Sequence, residues 1–331
     1  MTSVLQLADV YRARAAIAPW VRRTPLVRSD ALARTPGRSV HLKLETLQET
    51  GSFKLRGATN RMLALSAAER ERGVVAVSTG NHARAVAHAA RSLNVPAAVF
   101  MSTLVPQHKV EAVRAQGAEV RIVGEGQDAA EADARRLAKE QGRVFVSPFE
   151  DPLVIAGQGT IGLELLEDLP DLDTALVPLS GGGLIGGIAV ALKSADPAIR
   201  VIGVSMERGA AMYESLRAGR PVDVVEEPSL ADSLGGGIGL DNRHTFALVR
   251  DLVDEVLLVS EDEIAAAMAH CYWHEQQIVE GGAAVGVAAL LAGKVESSGE
   301  RIAVVLSGRN VDMRRFTELI GLDPGPGARA P

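Results

Sequence analysis

From Val74 onward the chain alternates short, apolar, β-rich runs with amphipathic stretches: Val74–Val77, Ala83–Leu93, Ala97–Met101, Gln107–Gln116 and Glu119–Val123. That rhythm predicts βαβ units and therefore parallel sheet, because a strand can rejoin its neighbour in the same direction only through a crossover of about a dozen residues or more. After Phe145 it resumes on a larger scale, with Thr174–Pro178, Ile185–Ser194, Arg200–Val204 and Arg301–Leu306. A chain of 331 residues exceeds the usual size of one compact domain. We therefore expect two α/β domains, a smaller one over 73–147 and a larger one formed by 1–72 and 148–331.

Composition narrows the partners. Apolar residues make up 47%, charged residues 23% and aromatic residues 3%, so a soluble globular core packed mainly by aliphatic side chains is expected. The net charge of -6, with Lys and Arg scattered among Asp and Glu, offers no basic field for nucleic acid. Cys271 is the single cysteine, which excludes an intrachain disulfide or a multi-cysteine metal site and fits a reducing, cytoplasmic location. The first residues are too polar for a signal peptide, and no apolar run reaches membrane-spanning length.

In parallel sheets ligands bind in loops at the carboxyl ends of the strands, so the segments just after each apolar run are where chemistry is expected. The first is Lys43 to Gly57, following Val40–Leu44. Gly51 and Ser52 read as a turn and an N-cap, which puts Lys54 in the first helical turn. A cation at the positive end of a helix dipole is disfavoured, and that placement would lower the amine's pKa and make it a better nucleophile. Taken alone, the same lysine reads as an ordinary surface residue. The second segment, Ser78-Thr79-Gly80-Asn81-His82, supplies hydroxyls, a glycine and backbone N–H groups at a helix start, a setting suited to a carboxylate. An ordinary helix cap accounts for Ser78 or Thr79 as well, and a structural role for His82.

The third segment is Ser180-Gly181-Gly182-Gly183-Leu184-Ile185-Gly186-Gly187. Glycine-rich backbone at a helix N-terminus cradles phosphate, since the amides can approach closely and the dipole favours an anion. Gly181, Gly183 and Gly186 also satisfy the dinucleotide pattern G-x-G-x-x-G, with Glu207 placed as a ribose-binding acid, so a nicotinamide-dependent oxidoreductase is a rival reading. A tight turn with no ligand is a third. The fourth segment, Ser307-Gly308-Arg309-Asn310, follows the strand Ile302–Leu306 and alone reads as a turn. A further run, Gly235 to Gly239, is either a ligand loop or a flexible connection.

Together and in this order, the Gly-Ser-Phe-Lys motif, the Ser-x-Gly-Asn-His loop, the glycine loop and the terminal Ser-Gly-x-Asn resemble the serine/threonine dehydratase and serine racemase family of pyridoxal-phosphate enzymes. The resemblance spans nearly the whole chain. It implies two parallel-sheet domains of the tryptophan-synthase-β-like architecture, called fold type II, with pyridoxal 5'-phosphate in the cleft between them. By it, Lys54 would hold the cofactor as a Schiff base and act as the base, Phe53 would pack beside the ring, and Asn81 would hydrogen-bond the ring hydroxyl. Gly181, Gly182, Gly183 and Leu184 would hold the phosphate and Ser307 would face the pyridine nitrogen. Ser52, Ser78, Thr79, Gly80 and His82 would surround the substrate carboxylate. A β-hydroxy-α-amino acid would lose water and then ammonia to give a keto product. A hydroxyl facing the pyridine nitrogen cannot hold a proton there as a carboxylate would, which favours elimination over transamination. The relatives imply a homodimer.

Two departures from the family pattern matter. The acidic residues of divalent-ion-dependent relatives are not matched in Ser205-Met206-Glu207-Arg208-Gly209-Ala210-Ala211, so no metal is expected. Arg309 stands where the family usually has glycine. Segments 205–211 and 229–242 look most like the hydroxyectoine-utilization dehydratases, which implies a hydroxyectoine-derived substrate ahead of threonine or serine. Racemase relatives carry a serine at the position of Thr79, whose methyl restricts χ1, so elimination is expected to dominate over racemisation. A binding module that holds cofactor without turnover remains the non-enzymatic alternative.

Overall fold

A computed structural model of the chain describes residues 5–33, 38–78, 80–103, 105, 107–124, 127–295 and 300–322. Thr79 lies outside the described residues. Among those described, the strands are β1 (Leu26–Ser29), β2 (Ser39–Leu44), β3 (Val74–Val77), β4 (Ala97–Met101), β5 (Glu119–Ile122), β6 (Val144–Phe145), β7 (Thr174–Pro178), β8 (Arg200–Met206), β9 (Glu255–Val259) and β10 (Arg301–Leu306). They form two sheets, a six-stranded one in the order β1-β2-β10-β7-β8-β9 and a four-stranded one in the order β5-β4-β3-β6. Every one of these pairings is parallel except β1 with β2. The sequence rhythm carries no sign of that edge hairpin, because Leu26–Ser29 is short and half exposed and has no clear alternation.

The central strands of both sheets are buried on both faces, the usual condition of parallel sheet between helices. Strand β10 shows how the period of two sorts the side chains. Ile302, Val304 and Leu306 join the core beneath helices Glu261–Trp273 and Gly281–Leu291, while Ala303 and Val305 face the core beneath Pro152–Asp168 and Gly183–Ala195. In the smaller sheet Val74 and Ala76 pack with Ala85, Val86 and Ala89 of helix Asn81–Ser92, and Val75 and Val77 pack with Ala130 and Ala134 of helix Gln127–Gln141.

Helix Lys54–Leu63 is pressed onto helix Pro152–Asp168 where two glycines meet. A Cβ on Gly157 would stand 2.6 Å from the Gly57 Cα, closer than any side chain tolerates. Beneath this contact lies a buried ion network. Arg56 spans Glu45 and Glu164, at 2.7 Å and 2.6 Å, and Lys43 reaches Glu164 at 2.6 Å and the Thr24 carbonyl at 2.7 Å. Arg56 is 1% exposed and Lys43 is 0% exposed, so neither charge could be tolerated without these partners. The network joins β2, the turn after it, the Lys54 helix and the Pro152 helix.

Candidate active site

The first and fourth loops are zipped together by backbone. Phe53 N–H donates to the Ser307 carbonyl at 3.0 Å, Arg309 N–H donates to the Gly51 carbonyl at 2.9 Å, and Ser52 and Gly308 form an antiparallel bridge. Arg309 thus serves the loop through its main chain, and its side chain is exposed. Asn310 extends the joint, its Nδ2 donating to the Thr50 carbonyl at 2.8 Å and to Asn81 Oδ1 at 2.6 Å, which brings in the second loop.

Lys54 is the first residue of its helix, and the N-cap is Phe53 rather than Ser52. Ser52 Oγ, unused for capping, is buried with no partner among the described protein groups. The Lys54 ammonium donates to the Pro148 carbonyl at 2.8 Å and lies 5.1 Å from the centre of the Phe53 ring. Loss of hydration on burial pushes its pKa down to about 8, against the opposing pull of the Glu280 carboxylate. Burial, more than the helix end, is what makes this lysine unusual.

Asn81 and His82 open helix Asn81–Ser92. His82 Nε2 lies 2.9 Å from the Val146 carbonyl, and because a carbonyl can only accept, that nitrogen carries the proton. Burial and the Lys54 charge hold the ring's pKa down at about 3, so it is neutral. Its Nδ1 is then a bare acceptor, buried and unpartnered, which can accept a hydrogen bond from a ligand but can donate none to a carboxylate. Ser78 Oγ accepts from the Gly80 N–H at 3.1 Å, turning the loop into the helix. A Cβ on Gly80 would meet nothing within 4 Å, so this corner faces open space.

The glycine loop completes the ring. Gly182 holds φ at 87°, a left-handed backbone that glycine adopts without strain, and it is the N-cap of helix Gly183–Ala195. The first turn of any helix leaves its N–H groups without internal partners, and here the first such bond runs from Gly186 to Gly182. Phe149, next to the Lys54 anchor at Pro148, forms the wall: a Cβ on Gly181 would stand 2.4 Å from its ring. Gly181→Ala is therefore expected to displace Phe149 and weaken phosphate binding, at a cost of about 1–3 kcal/mol, or roughly tenfold to a hundredfold in cofactor affinity by equilibrium dialysis. Unchanged affinity would remove the loop from the site.

Sequence reading missed Glu280. It is 5% exposed and stands among Asn81, Asn310 and Gly308, accepting from Asn81 Nδ2 at 2.6 Å and from Asn310 N–H at 3.2 Å. An acid directly before Gly281-Gly282 and a helix resembles an ordinary N-terminal cap, and nothing local distinguishes it. Cys271 can be set aside, because burial pushes its thiol up to about 12. Near the strand end at Met206, Lys294 Nζ sits 2.7 Å from Glu263 and 3.8 Å from Glu207. Activity is expected to survive chelation. Loss in chelator, restored by magnesium, would reveal a divalent-ion site.

A cavity wall of glycines at a helix start, a lysine with a lowered pKa and the unpartnered Ser52 hydroxyl fit a phosphate-bearing aldehyde whose substrate complex carries a carboxylate. The comparisons with known proteins agree. The family described as "Pyridoxal-phosphate dependent enzyme" matches residues 17–308. The L-threonine ammonia-lyase of Thermotoga maritima is 44% identical over 96% of this chain and 78% of its own length. Maize serine racemase superposes with a TM-score of 0.90 at 35% identity, covering 95% of this chain and 96% of that one. The serine racemase of Dictyostelium discoideum does so with a TM-score of 0.86 at 32% identity, covering 93% and 99%. The chain belongs to the pyridoxal-phosphate dependent enzymes, in the branch that takes in threonine dehydratases and serine racemases.

Proposed function

We propose that this enzyme removes water and then ammonia from a β-hydroxy-α-amino acid. The observation that carries the reading is the half-buried Lys54, its amine lowered to about 8 and placed between the Phe53 ring and the Pro148 carbonyl. Pyridoxal phosphate, when bound, supplies the electron sink that makes the α-proton acidic. Lys54 gives the site a base, since near neutral pH a substantial share of such an amine is unprotonated. The α-proton passes to the Lys54 nitrogen, the Cβ–O bond breaks, and the departing hydroxyl takes that proton from the lysine and leaves as water. The enamine so formed hydrolyses after release to a keto acid and ammonia. Ser52 Oγ and the N–H groups at the start of helix Asn81–Ser92 are the donors for the substrate carboxylate. Asn81 is the partner of the ring hydroxyl, Ser307 of the ring nitrogen, and residues 181–184 of the phosphate.

For the substrate, names of relatives support threonine, since the Thermotoga maritima protein is an L-threonine ammonia-lyase. The resemblance of 205–211 and 229–242 favours a hydroxyectoine-derived acid. A panel of threonine, serine and that acid, read for ammonia and keto product, separates the two: fastest turnover of threonine sinks the narrower reading and leaves the reaction intact. A silent panel would make the chain a binding module. Thr79→Ser is expected to raise any racemase side activity, and chiral chromatography of residual substrate reads it. Inversion faster than deamination in the unaltered enzyme would make it a racemase. The reading also places the enzyme in the cytoplasm as a homodimer, whose assembly sedimentation would check. Among the described residues no helix is long and apolar enough to cross a membrane.

A further inference from the structure

Glu280 has no part in the reaction above, yet it is a buried acid that touches both the second and the fourth site loops. It precedes helix Gly281–Leu291, but its side chain does not cap that helix. Its own N–H donates to the Gly308 carbonyl at 3.1 Å, which fixes it against the fourth loop. A Cβ on Gly308 would come within 2.8 Å of its Oε1, so this strand end leaves room for the carboxylate and little else.

The hydrogen bonds around it can be assigned without ambiguity, because they start at a carbonyl. Asn310 Nδ2 lies 2.8 Å from the Thr50 carbonyl, so it is the nitrogen, and its second hydrogen goes to Asn81 Oδ1 at 2.6 Å. Asn310 Oδ1, on the other side, accepts from Arg84 Nη1 at 3.3 Å. Asn81 must then turn its own nitrogen the opposite way, where Glu280 Oε1 takes one of its two hydrogens at 2.6 Å. One amide hydrogen of Asn81 is left.

We infer that Glu280 is a positioning residue: by accepting from both Asn81 Nδ2 and Asn310 N–H, it locks the Asn81 amide with a single free hydrogen for the oxygen on the cofactor ring. This rests on the reading of Asn81 as the partner of that oxygen. A carboxylate does this work strongly through both of its oxygens, whereas protonation turns one of them into a hydroxyl that donates and accepts only weakly. Charged groups acting on it are Asp232, Lys54 and Arg84, and Ser233 adds a hydrogen bond. Burial, with Asp232 assisting, raises Glu280 to about 7, against the hydrogen bonds from Asn81, Ser233 and Asn310. The lock therefore closes as the pH rises through neutrality.

The test compares the holoenzyme with Glu280→Gln, Glu280→Asp, Asn81→Ala and the double variant Asn81→Ala/Glu280→Gln, all reconstituted with pyridoxal phosphate. A glutamine can accept through one atom only and sets an NH2 against a second donor. Two quantities are read, the absorption band of the bound cofactor across neutral pH and the cofactor's dissociation constant. Glu280→Gln should displace the band in the same direction as Asn81→Ala, abolish a spectral transition near neutrality, and weaken the cofactor about tenfold, as expected for one hydrogen bond to a charged group. The double variant should go no further than Asn81→Ala alone. Glu280→Asp, with both acceptors one methylene shorter, should show a smaller shift of the same sign, and it serves where the glutamine variant does not fold. A band and transition unchanged in the Glu280 variants, or effects that add fully in the double variant, overturn the inference while Lys54 still carries the cofactor. A wild-type chain with no lysine-bound cofactor overturns the site reading and the inference together.

Discussion

Borohydride reduction of the holoenzyme followed by peptide mapping is expected to label Lys54 alone, and Lys54→Ala is expected to lose both the label and turnover. The loss of turnover should be about 10²–10⁴-fold or more, the range for removal of a positioned general base, with the loss of the covalent anchor added to it. The structure adds a pH signature. An amine at about 8 is present in its reactive, uncharged form at pH 7 roughly 300 times more often than an ordinary lysine. Capture of pyridoxal phosphate by the apoprotein should therefore quicken as the pH rises to about 8 and level off above it, whereas an ordinary lysine would continue to quicken for about two further pH units. A label on another lysine would sink the assignment.

The second large effect is on stability. Arg56→Met keeps most of the side-chain volume but leaves Glu45 and Glu164 facing each other with only Lys43 as a cation. Breaking a buried network from one side in this way is expected to cost about 3–5 kcal/mol in equilibrium denaturation. A loss below about 1 kcal/mol, the scale of exposed pairs, would mean that the network is solvated and of little consequence. Acid provides an independent check. Burial alone would raise the Glu164 carboxyl, but Arg56 and Lys43 together hold it below the ordinary carboxylate range. Its contribution is thus complete above the unfolded-state value and is lost as the pH falls through the lower, folded-state value. Stability of the wild type should accordingly fall more steeply in acid than that of Glu164→Gln.

Where the sequence was legible, the reason was local. Strands β3, β4, β7 and β10 begin and end where the apolar runs do, because a strand buried on both faces must be apolar throughout and must stop at the first residue that cannot be. Lys54 at a helix start and the glycines after β7 were legible for the same reason, each being a residue type out of keeping with its immediate setting. Other features depend on contacts between distant segments. Glu280 meets Asn81 across 199 positions, and neither neighbourhood carries a mark of the other. Glu164 sits in a mostly apolar helix near two other acids, Glu167 and Asp168, and would pass with them for a solvent-facing acid; only the fold shows Arg56 and Lys43 waiting for it. A lowered pKa was expected for the lysine from the helix dipole, whereas its cause is burial, which no linear pattern reports.

The position of β10 has a temporal consequence. The last strand among the described residues lies between β2 and β7, so the six-stranded sheet stays divided until residues 301–306 have left the ribosome. The same late segment supplies Ser307 and Asn310, to which Thr50 and Phe53 are tied. A nascent chain that lacks them can still join its lysine helix to its glycine loop through helix Pro152–Asp168, but has no strand between β2 and β7. The contacts that Ser307 and Asn310 make with the Lys54 loop are thus expected to form late in synthesis, only after that strand has emerged.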